Sequence, residues 1–359
     1  MAQKKVLVAM SGGVDSGVAV KLLQEKGYYV AGATMKLLSG EDEDRRLEKT
    51  ERVARQLGID FYVFPAEDAF KKGVIEYFAD EYINGRTPNP CIMCNRLFKF
   101  GFFLEKALSL GFDMIATGHY AKICTADNGE YKLTCSEDAK KDQSYFLYGM
   151  TQEILSKVIF PLEGGDKDEV RRIAAEIGLE NASQKDSQDI CFVKNCLYTD
   201  IIDNICNERG TPRRRGNFID VDGKVLAQHN GIERYTIGQR KGVGVSLGAG
   251  IPLYVVEKRA DTAEVVMGPD DLLFKTELTL DEVSFIRPSI KEKAEEKDQE
   301  PFVLTVKTRF NQKALEAKLY YKENGQATIV FEKPVRAVTP GQFAVFYDDD
   351  EVLGGGKIL

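Results

Sequence analysis

Lys5-Val6-Leu7-Val8-Ala9-Met10-Ser11-Gly12-Gly13-Val14-Asp15-Ser16 is the stretch on which the fold turns. It opens as an apolar run of strand character, and a helical pattern follows from Gly17 to about Lys26. Between them, two glycines let the backbone turn sharply and aim successive N–H groups at one spot. The helix N-terminus adds partial positive charge there, so the loop cradles a phosphate chain. Ser11 and Ser16 add hydroxyl donors. The loop has no Gly-Lys-Ser/Thr ending, so it is not the P-loop that clamps a transferring γ-phosphate.

Outward from this loop, strand-like runs (5–10, 29–36, 60–65, 112–117) alternate with helical patterns (17–26, 44–57, 67–83, 95–110). That alternation predicts a parallel sheet covered on both faces, with its ligand crevice at the carboxyl ends of the strands. Met35 and the turn Thr117-Gly118-His119 end two other strands and border the same crevice. Residues 144–180 read as mostly helical, including 168–177. Near Gly210 the texture turns to short β patterns, with hairpin signals in 218–228 and 253–267. The Lys/Glu-rich run 291–300 reads as a solvated loop. In 302–310, Phe302, Leu304, Val306 and Phe310 alternate with Lys307 and Arg309, which predicts an inward apolar face and a basic face toward solvent. Regular short strands up to Val352 predict a small closed barrel. The expected architecture is α/β plus β: a doubly wound parallel sheet (1–207), a small central β-rich domain (208–272) and a C-terminal antiparallel β-barrel (273–359).

The chain of 359 residues is long enough for two or three cores. No signal-like run opens it, and no segment approaches the roughly 20 apolar residues that span a bilayer. A cytoplasmic protein without membrane contact is expected. Seven cysteines, an odd number, point to free thiols for chemistry or metal binding rather than to a disulfide scaffold. The net charge of −7 argues mildly against nucleic acid, but only a local footprint touches phosphate. Basic clusters stand at Arg213-Arg214-Arg215, at Arg240-Lys241, and at Lys307 with Arg309.

Thr87-Pro88-Asn89-Pro90-Cys91-Ile92-Met93-Cys94-Asn95 places two thiols three residues apart just before a helix, whose N-terminus is expected to lower a nearby thiol's pKa. Lys185-Asp186-Ser187-Gln188-Asp189-Ile190-Cys191-Phe192 supplies another cysteine in a polar, looped segment. Cys124 and Cys135 read as structural. Four readings of the other thiols stand side by side. Zinc would take Cys91, Cys94, Cys191 and Cys196. A redox pair at Cys91 and Cys94 would leave the phosphate loop unexplained. An iron–sulfur cluster on Cys91, Cys94 and Cys191 would leave one iron open for exogenous sulfur. Lastly, Cys94 and Cys191 could pass sulfur as nucleophile and persulfide carrier.

Ser11-Gly12-Gly13-Val14-Asp15-Ser16 resembles the pyrophosphate loop of the ATP pyrophosphatases, which split ATP between its α and β phosphates. That loop, Asn89-Pro90 with Cys94, Thr117-Gly118-His119-Tyr120, Asp142-Gln143-Ser144, Ile190-Cys191-Phe192, 235–242 and 338–342 together resemble, in order, the tRNA-specific 2-thiouridylase family. The likeness runs to Gly354-Gly355-Gly356. It implies an adenine nucleotide hydrolase-like first domain and thiolation of the wobble uridine of tRNA. It implies ATP with Mg²⁺ on Ala9, Met10, Ser11, Gly12, Gly13, Val14, Asp15, Ser16, Met35 and Gly118. By the same likeness Cys94 is the nucleophile and Cys191 bears the persulfide, while Asn89, Pro90 and Cys91 meet the target base. His119, Lys141, Asp142, Gln143, Arg309, Phe310 and Gln342 touch tRNA, and a sulfur-donor protein such as a cysteine desulfurase or a relay protein is the other partner. The family pattern has aspartate where this chain has Cys91, which gives a 4Fe-4S cluster a third thiol ligand. Competing classes are another AMP-forming ligase, which would survive loss of Cys94 and Cys191, and a non-catalytic tRNA or iron–sulfur binding protein, which would consume no ATP.

Overall fold

The computed structural model describes residues 3–179, 190–193, 196–211, 214–244, 252–296, 301–322 and 324–359. The segment 185–189 and Arg213 lie outside them.

Strands β1 (Lys5–Ala9), β2 (Tyr29–Lys36), β3 (Phe61–Pro65) and β4 (Met114–Thr117) form a wholly parallel sheet with a fifth strand, β7 (Val158–Ile159), in the order β3-β2-β1-β4-β7. Both faces are covered, because alternate residues of β1 enter different cores. Leu7 packs with Phe64, Phe103 and Ile115, whereas Val6 and Val8 pack with Val18, Leu23 and Val170. The chain leaves β1 toward β2 on one side and returns to β4 on the other, so the order reverses between β1 and β4. In open sheets of this kind the ligand crevice lies at that reversal, beside the carboxyl ends of these two strands. The two-residue β7 was hidden in a stretch read as mostly helical; only 167–176 there is a long helix.

The central unit pairs β8 (Gly216–Ile219) with β9 (Val225–His229) and β10 (Tyr254–Arg259) with β11 (Glu264–Gly268), joined through parallel β11 and β8. Strands β12 (Phe274–Phe285), β13 (Phe302–Lys307), β14 (Leu315–Tyr321), β15 (Ala327–Arg336), β16 (Phe343–Asp348) and β17 (Glu351–Ile358) form an antiparallel barrel, closed by β12 pairing with β17. Part of the run expected as a loop is helical, at Pro288–Glu295. Proline starts that helix, Lys291 and Glu295 pair one turn apart, and Ile290 is buried against the barrel.

The hairpin β5 (Lys122–Thr125) and β6 (Tyr131–Thr134) leaves the first unit and extends the barrel sheet, β6 pairing with β17. Glu130 at its tip accepts from Ser289 N at 3.0 Å and from Arg287 Nε at 2.9 Å. Burial alone would raise this carboxyl, but hydrogen bonds from Ser289, Asn128 and Arg287 outweigh it and hold the pKa at about 2. A depressed carboxylate stabilises the fold above its unfolded pKa and loses that contribution as pH falls through the folded one. Glu130→Gln should therefore lower the melting temperature at neutral pH, and the gap to wild type should close as pH falls from about 4.5 toward 2.

Candidate active site

Helix α1 (Val14–Glu25) begins at Gly13, and no side chain caps it. Its first N–H groups are thus left for an anion. Gly12 holds φ +74°. The Ser16 hydroxyl donates to Gly13 O at 3.1 Å and accepts from Ser11 N at 3.4 Å, which closes the loop on itself. Gly118 lies against the far side: a Cβ there would sit 3.1 Å from Asp15 and 3.2 Å from Ser16 N. Met35, at the end of β2, is buried and gives its carbonyl to Arg46 Nη2 at 2.8 Å. The loop Ser11–Ser16 and Gly118 therefore lie against each other at the carboxyl ends of β1 and β4, with Met35 ending β2.

Sequence reading missed Lys167. Its buried ammonium meets Asp15 Oδ1 at 2.6 Å, and Tyr120 OH donates to the same oxygen at 2.9 Å. Lys167 opens its helix just after the cap Asp166, a local signal, but its approach to Asp15 is a contact across 152 positions.

The cysteine helix starts where Asn89 accepts from Ile92 N at 3.3 Å and Pro90 takes the first turn. It runs from Pro90–Cys94 into a π-helical stretch, Asn95–Phe102. Cys191 sits in a tight turn closed by Val193 N to Ile190 O at 2.9 Å. Phe192 fixes that turn, its ring 6.0 Å from Phe70 and 5.3 Å from Phe78. Cys91 and Cys191 are exposed, and Cys94 is half-buried.

The expected lowering of the thiol pKa is not what the site shows. Burial pushes Cys94 up to about 12, opposed by the nearby Lys99 ammonium and reinforced by Cys191 and Cys91. Cys91 is also raised: part of the residue reaches solvent, but the protein around it desolvates the thiol, with Lys99 acting against it. Desolvation outweighs the Lys99 charge here. Cys94, Cys91 and Cys191 are thus brought into one neighbourhood.

Lys99 was also missed, for a geometric reason. In an α-helix, five residues leave two side chains about 140° apart, so Lys99 would turn away from Cys94. A π-turn bonds i to i+5 and returns the fifth residue toward the same face. The Lys99 ammonium lies 3.2 Å from His119 Nε2. Because Lys99 donates, Nε2 accepts and Nδ1 carries the proton, given to Thr117 Oγ1 at 2.7 Å. Burial and Lys99 keep His119 neutral, well below its ordinary pKa. One cation thereby links the cysteine helix to the turn beside the phosphate loop. Lys99→Met should move the pH profile of Cys94 alkylation upward, with Lys99→Arg restoring part of it; an unchanged profile by peptide mass spectrometry would remove Lys99 from this role.

Several residues expected at tRNA spend their polar groups inside the protein. His119 is buried between Phe100 and Phe160. Asp142 is buried and accepts from Ser136 N, Ser144 N and the Ser144 hydroxyl. Gln143 Oε1 accepts from Tyr120 N at 3.1 Å. Lys141 is half-buried. The basic face expected on 302–310 is also corrected. Lys307 lies 4.0 Å from Asp142 and over the Tyr347 ring, and Arg309 donates to Ala337 O at 3.0 Å and Ile237 O at 3.4 Å. A buried carboxylate and two turn carbonyls claim these cations before solvent can. The Phe310 ring lies 4.5 Å from that of Phe146, tilted by 39°, and Gln342 donates to Thr87 O and Pro88 O.

Among the described residues, no group of three or more His, Cys, Asp or Glu side chains converges as a metal ion requires. Neither Cys91, Cys94 and Cys191 nor those three with Cys196 form such a group in this arrangement. No described helix is long and apolar enough to cross a membrane.

Residues 4–195 match the family described as tRNA methyl transferase HUP domain, 204–269 its PRC-barrel domain, and 275–358 the aminomethyltransferase beta-barrel domain. The tRNA-specific 2-thiouridylase MnmA of Acetivibrio thermocellus is 46% identical over 370 residues, covering 100% of each chain. That of Clostridium perfringens is 44% identical over 371 residues, covering 100% of this chain and 99% of the relative. A solved U34-tRNA thiolase NcsA from Methanococcus maripaludis, with its 4Fe-4S cluster, aligns with 59% of this chain and 69% of its own at 18% identity and a TM-score of 0.37, too distant to bear on the site.

Proposed function

The chain belongs to the tRNA-specific 2-thiouridylase family, and on that premise we propose that Cys94 and Cys191 carry sulfur to a uridine primed by ATP in the crevice between β1 and β4. The protein is a tRNA-uridine 2-sulfurtransferase that uses ATP. The observation that supports the cysteine route is Lys99. Its ammonium touches the His119 turn at the nucleotide loop while its charge acts on Cys94 and Cys91.

A uracil carbonyl oxygen leaves badly. The 2-oxygen attacks the α-phosphorus of ATP, pyrophosphate leaves, and carbon 2 now bears AMP as a leaving group. The N–H groups at Gly13 and the helix start stabilise charge growing on pyrophosphate, and Mg²⁺ travelling with ATP supplies further neutralisation. A sulfur-donor protein loads Cys191 as a persulfide. The terminal sulfur attacks carbon 2 and AMP departs. Cys94 then attacks the Cys191 sulfur, the sulfur–sulfur bond to the substrate breaks, and a Cys94–Cys191 disulfide remains. Two thiol protons are released, and an external dithiol reduces the disulfide before the next turnover. The wobble base cannot react while stacked, so it is flipped into the pocket beside Asn89, Pro90 and Cys91. Residues 1–207 perform the chemistry, with 208–272 and 273–359 holding the anticodon arm.

The cluster route has no support from the thiol geometry. On the persulfide route, protein purified without oxygen should show no iron–sulfur charge-transfer absorbance and carry no stoichiometric iron or sulfide. An intact band that disappears in Cys91→Ser would replace the persulfide route by the cluster route.

A further inference from the structure

Strand β2 outlasts its neighbour. Its even positions bond toward β3, Gly32 N donating to Asp60 O at 2.8 Å and Lys36 O accepting from Ala66 N at 3.0 Å. Its odd positions face β1, where Ala33 O accepts from Met10 N at 2.8 Å. Two residues on, Met35 faces past the end of β1, because that strand stops at Ala9 and the chain turns into the phosphate loop. An ion pair takes the place of the missing strand. Arg46, on α2 (Glu41–Gln56), donates from Nη2 to Met35 O at 2.8 Å and from Nη1 to Thr34 Oγ1 at 2.9 Å. It holds Glu43 by two bonds of 2.7 Å, and Glu43 Oε1 accepts from Leu37 N at 3.2 Å, further along the same edge. Thr34 and Glu43 are buried, and Arg46 is half-buried. Burial alone would raise the Glu43 carboxyl, but Arg46 and the Leu37 and Leu38 amides hold it below its ordinary value. The same helix reaches the phosphate loop. One turn after Arg46, Thr50 donates its hydroxyl to Arg46 O at 2.7 Å. A Cβ on Gly12 would lie 2.7 Å from that hydroxyl and 3.5 Å from Thr50 N.

We infer that Arg46 is a positioning residue for ATP, fixing the end of β2 through Met35 and setting its distance from the phosphate loop through Thr50. One turn of α2 thus spans the two places that hold the nucleotide. A carbonyl oxygen accepts two hydrogen bonds, so the bond from Arg46 orients Met35 O and leaves a lone pair for the ligand. Arginine suits the task because its planar fork reaches the Glu43 carboxylate and the Met35 carbonyl at once, which a lysine ammonium cannot do. The inference rests on the reading of Met35 and the glycine loop as the ATP site.

The test follows tRNA-dependent pyrophosphate release against ATP concentration, with tRNA affinity beside it. It compares the full-length wild type with Arg46→Met, Arg46→Lys, the double variant Glu43→Gln with Arg46→Met, and Gly12→Ala. Arg46→Met should raise the KM for ATP about tenfold or more, with the saturating rate within about threefold and tRNA affinity within about twofold of wild type. Arg46→Lys should recover part of the loss, since an ammonium replaces one bond of the fork but not all of them. The double variant removes the carboxylate that Arg46→Met strands in the interior, so it should show the raised KM even where the single variant folds poorly. A KM for ATP within about twofold of wild type in both Met variants would overturn the inference. So would a saturating rate and a tRNA affinity that fall together with it, the mark of a general loss of structure. Gly12→Ala separates the inference from its premise: if it leaves pyrophosphate release untouched, the crevice is not the ATP site, and the reading beneath fails whatever Arg46 does.

Discussion

Cys94→Ser and Cys191→Ser should each cut 2-thiouridine formation by at least about a thousandfold while tRNA-dependent release of pyrophosphate continues. Serine nearly matches cysteine in size, so packing around Phe192 and along the Pro90–Cys94 turn is kept. What it removes is sulfur chemistry: a hydroxyl can neither carry a persulfide nor close a disulfide. The two half-reactions should separate because the adenylating groups lie on the β1–α1 loop and the turn after β4, whereas the thiols come from the cysteine helix and the Ile190–Val193 turn. Cys206→Ser, at a buried position on the helix Tyr198–Glu208, is the matched control and should keep its sulfur transfer. Nucleoside chromatography reads one half and pyrophosphate release the other. Full sulfur incorporation by either variant would defeat the two-thiol route, and loss of pyrophosphate release in both would show that the half-reactions are not separable.

The phosphate loop was legible because everything it needs is contiguous: a strand, two glycines and a helix start within Lys5–Ser16. The parallel sheet covered on both faces followed from the same alternation, though not its strand order. Contacts between distant residues left no such trace. Lys167 reaches Asp15 across 152 positions, and nothing near Lys167 announces that. Lys99 escaped because periodicity assumes 3.6 residues per turn, and the chain after Cys94 winds more widely. Lys307 and Arg309 were read outward by strict alternation, which sees two faces of a strand but not the Asp142 segment and the Ala337–Thr339 turn that cover one of them. The thiols illustrate a contest of magnitudes rather than a missed pattern. The nearby Lys99 charge favours a thiolate, yet burial of Cys94 disfavours it more.

Gly12→Ala should abolish most adenylation, whereas Gly13→Ala, one position on, should be far milder. Gly12 sits at φ +74°, where a side chain costs roughly 1–2 kcal/mol in the backbone alone. Its Cβ would also stand 2.7 Å from Thr50 Oγ1. Thr50 cannot step aside cheaply, being fully buried with its hydroxyl donating to Arg46 O at 2.7 Å. Arg46 is in turn anchored to Glu43, Thr34 and Met35 O. The loop must yield instead, and its N–H groups lose their common aim. Gly13 has an ordinary φ of −88°, and its Cβ would meet only Ser11 Oγ, at 3.3 Å, a hydroxyl free to rotate. Loss of aim at Gly12 should lower tRNA-dependent pyrophosphate release by about a hundredfold or more, with tRNA affinity retained. Because adenylation precedes sulfur transfer, 2-thiouridine formation must fall by the same factor, in contrast to the split produced by the cysteine variants. Equal losses in the two alanine variants would mean that the loop does not work through the left-handed turn at Gly12.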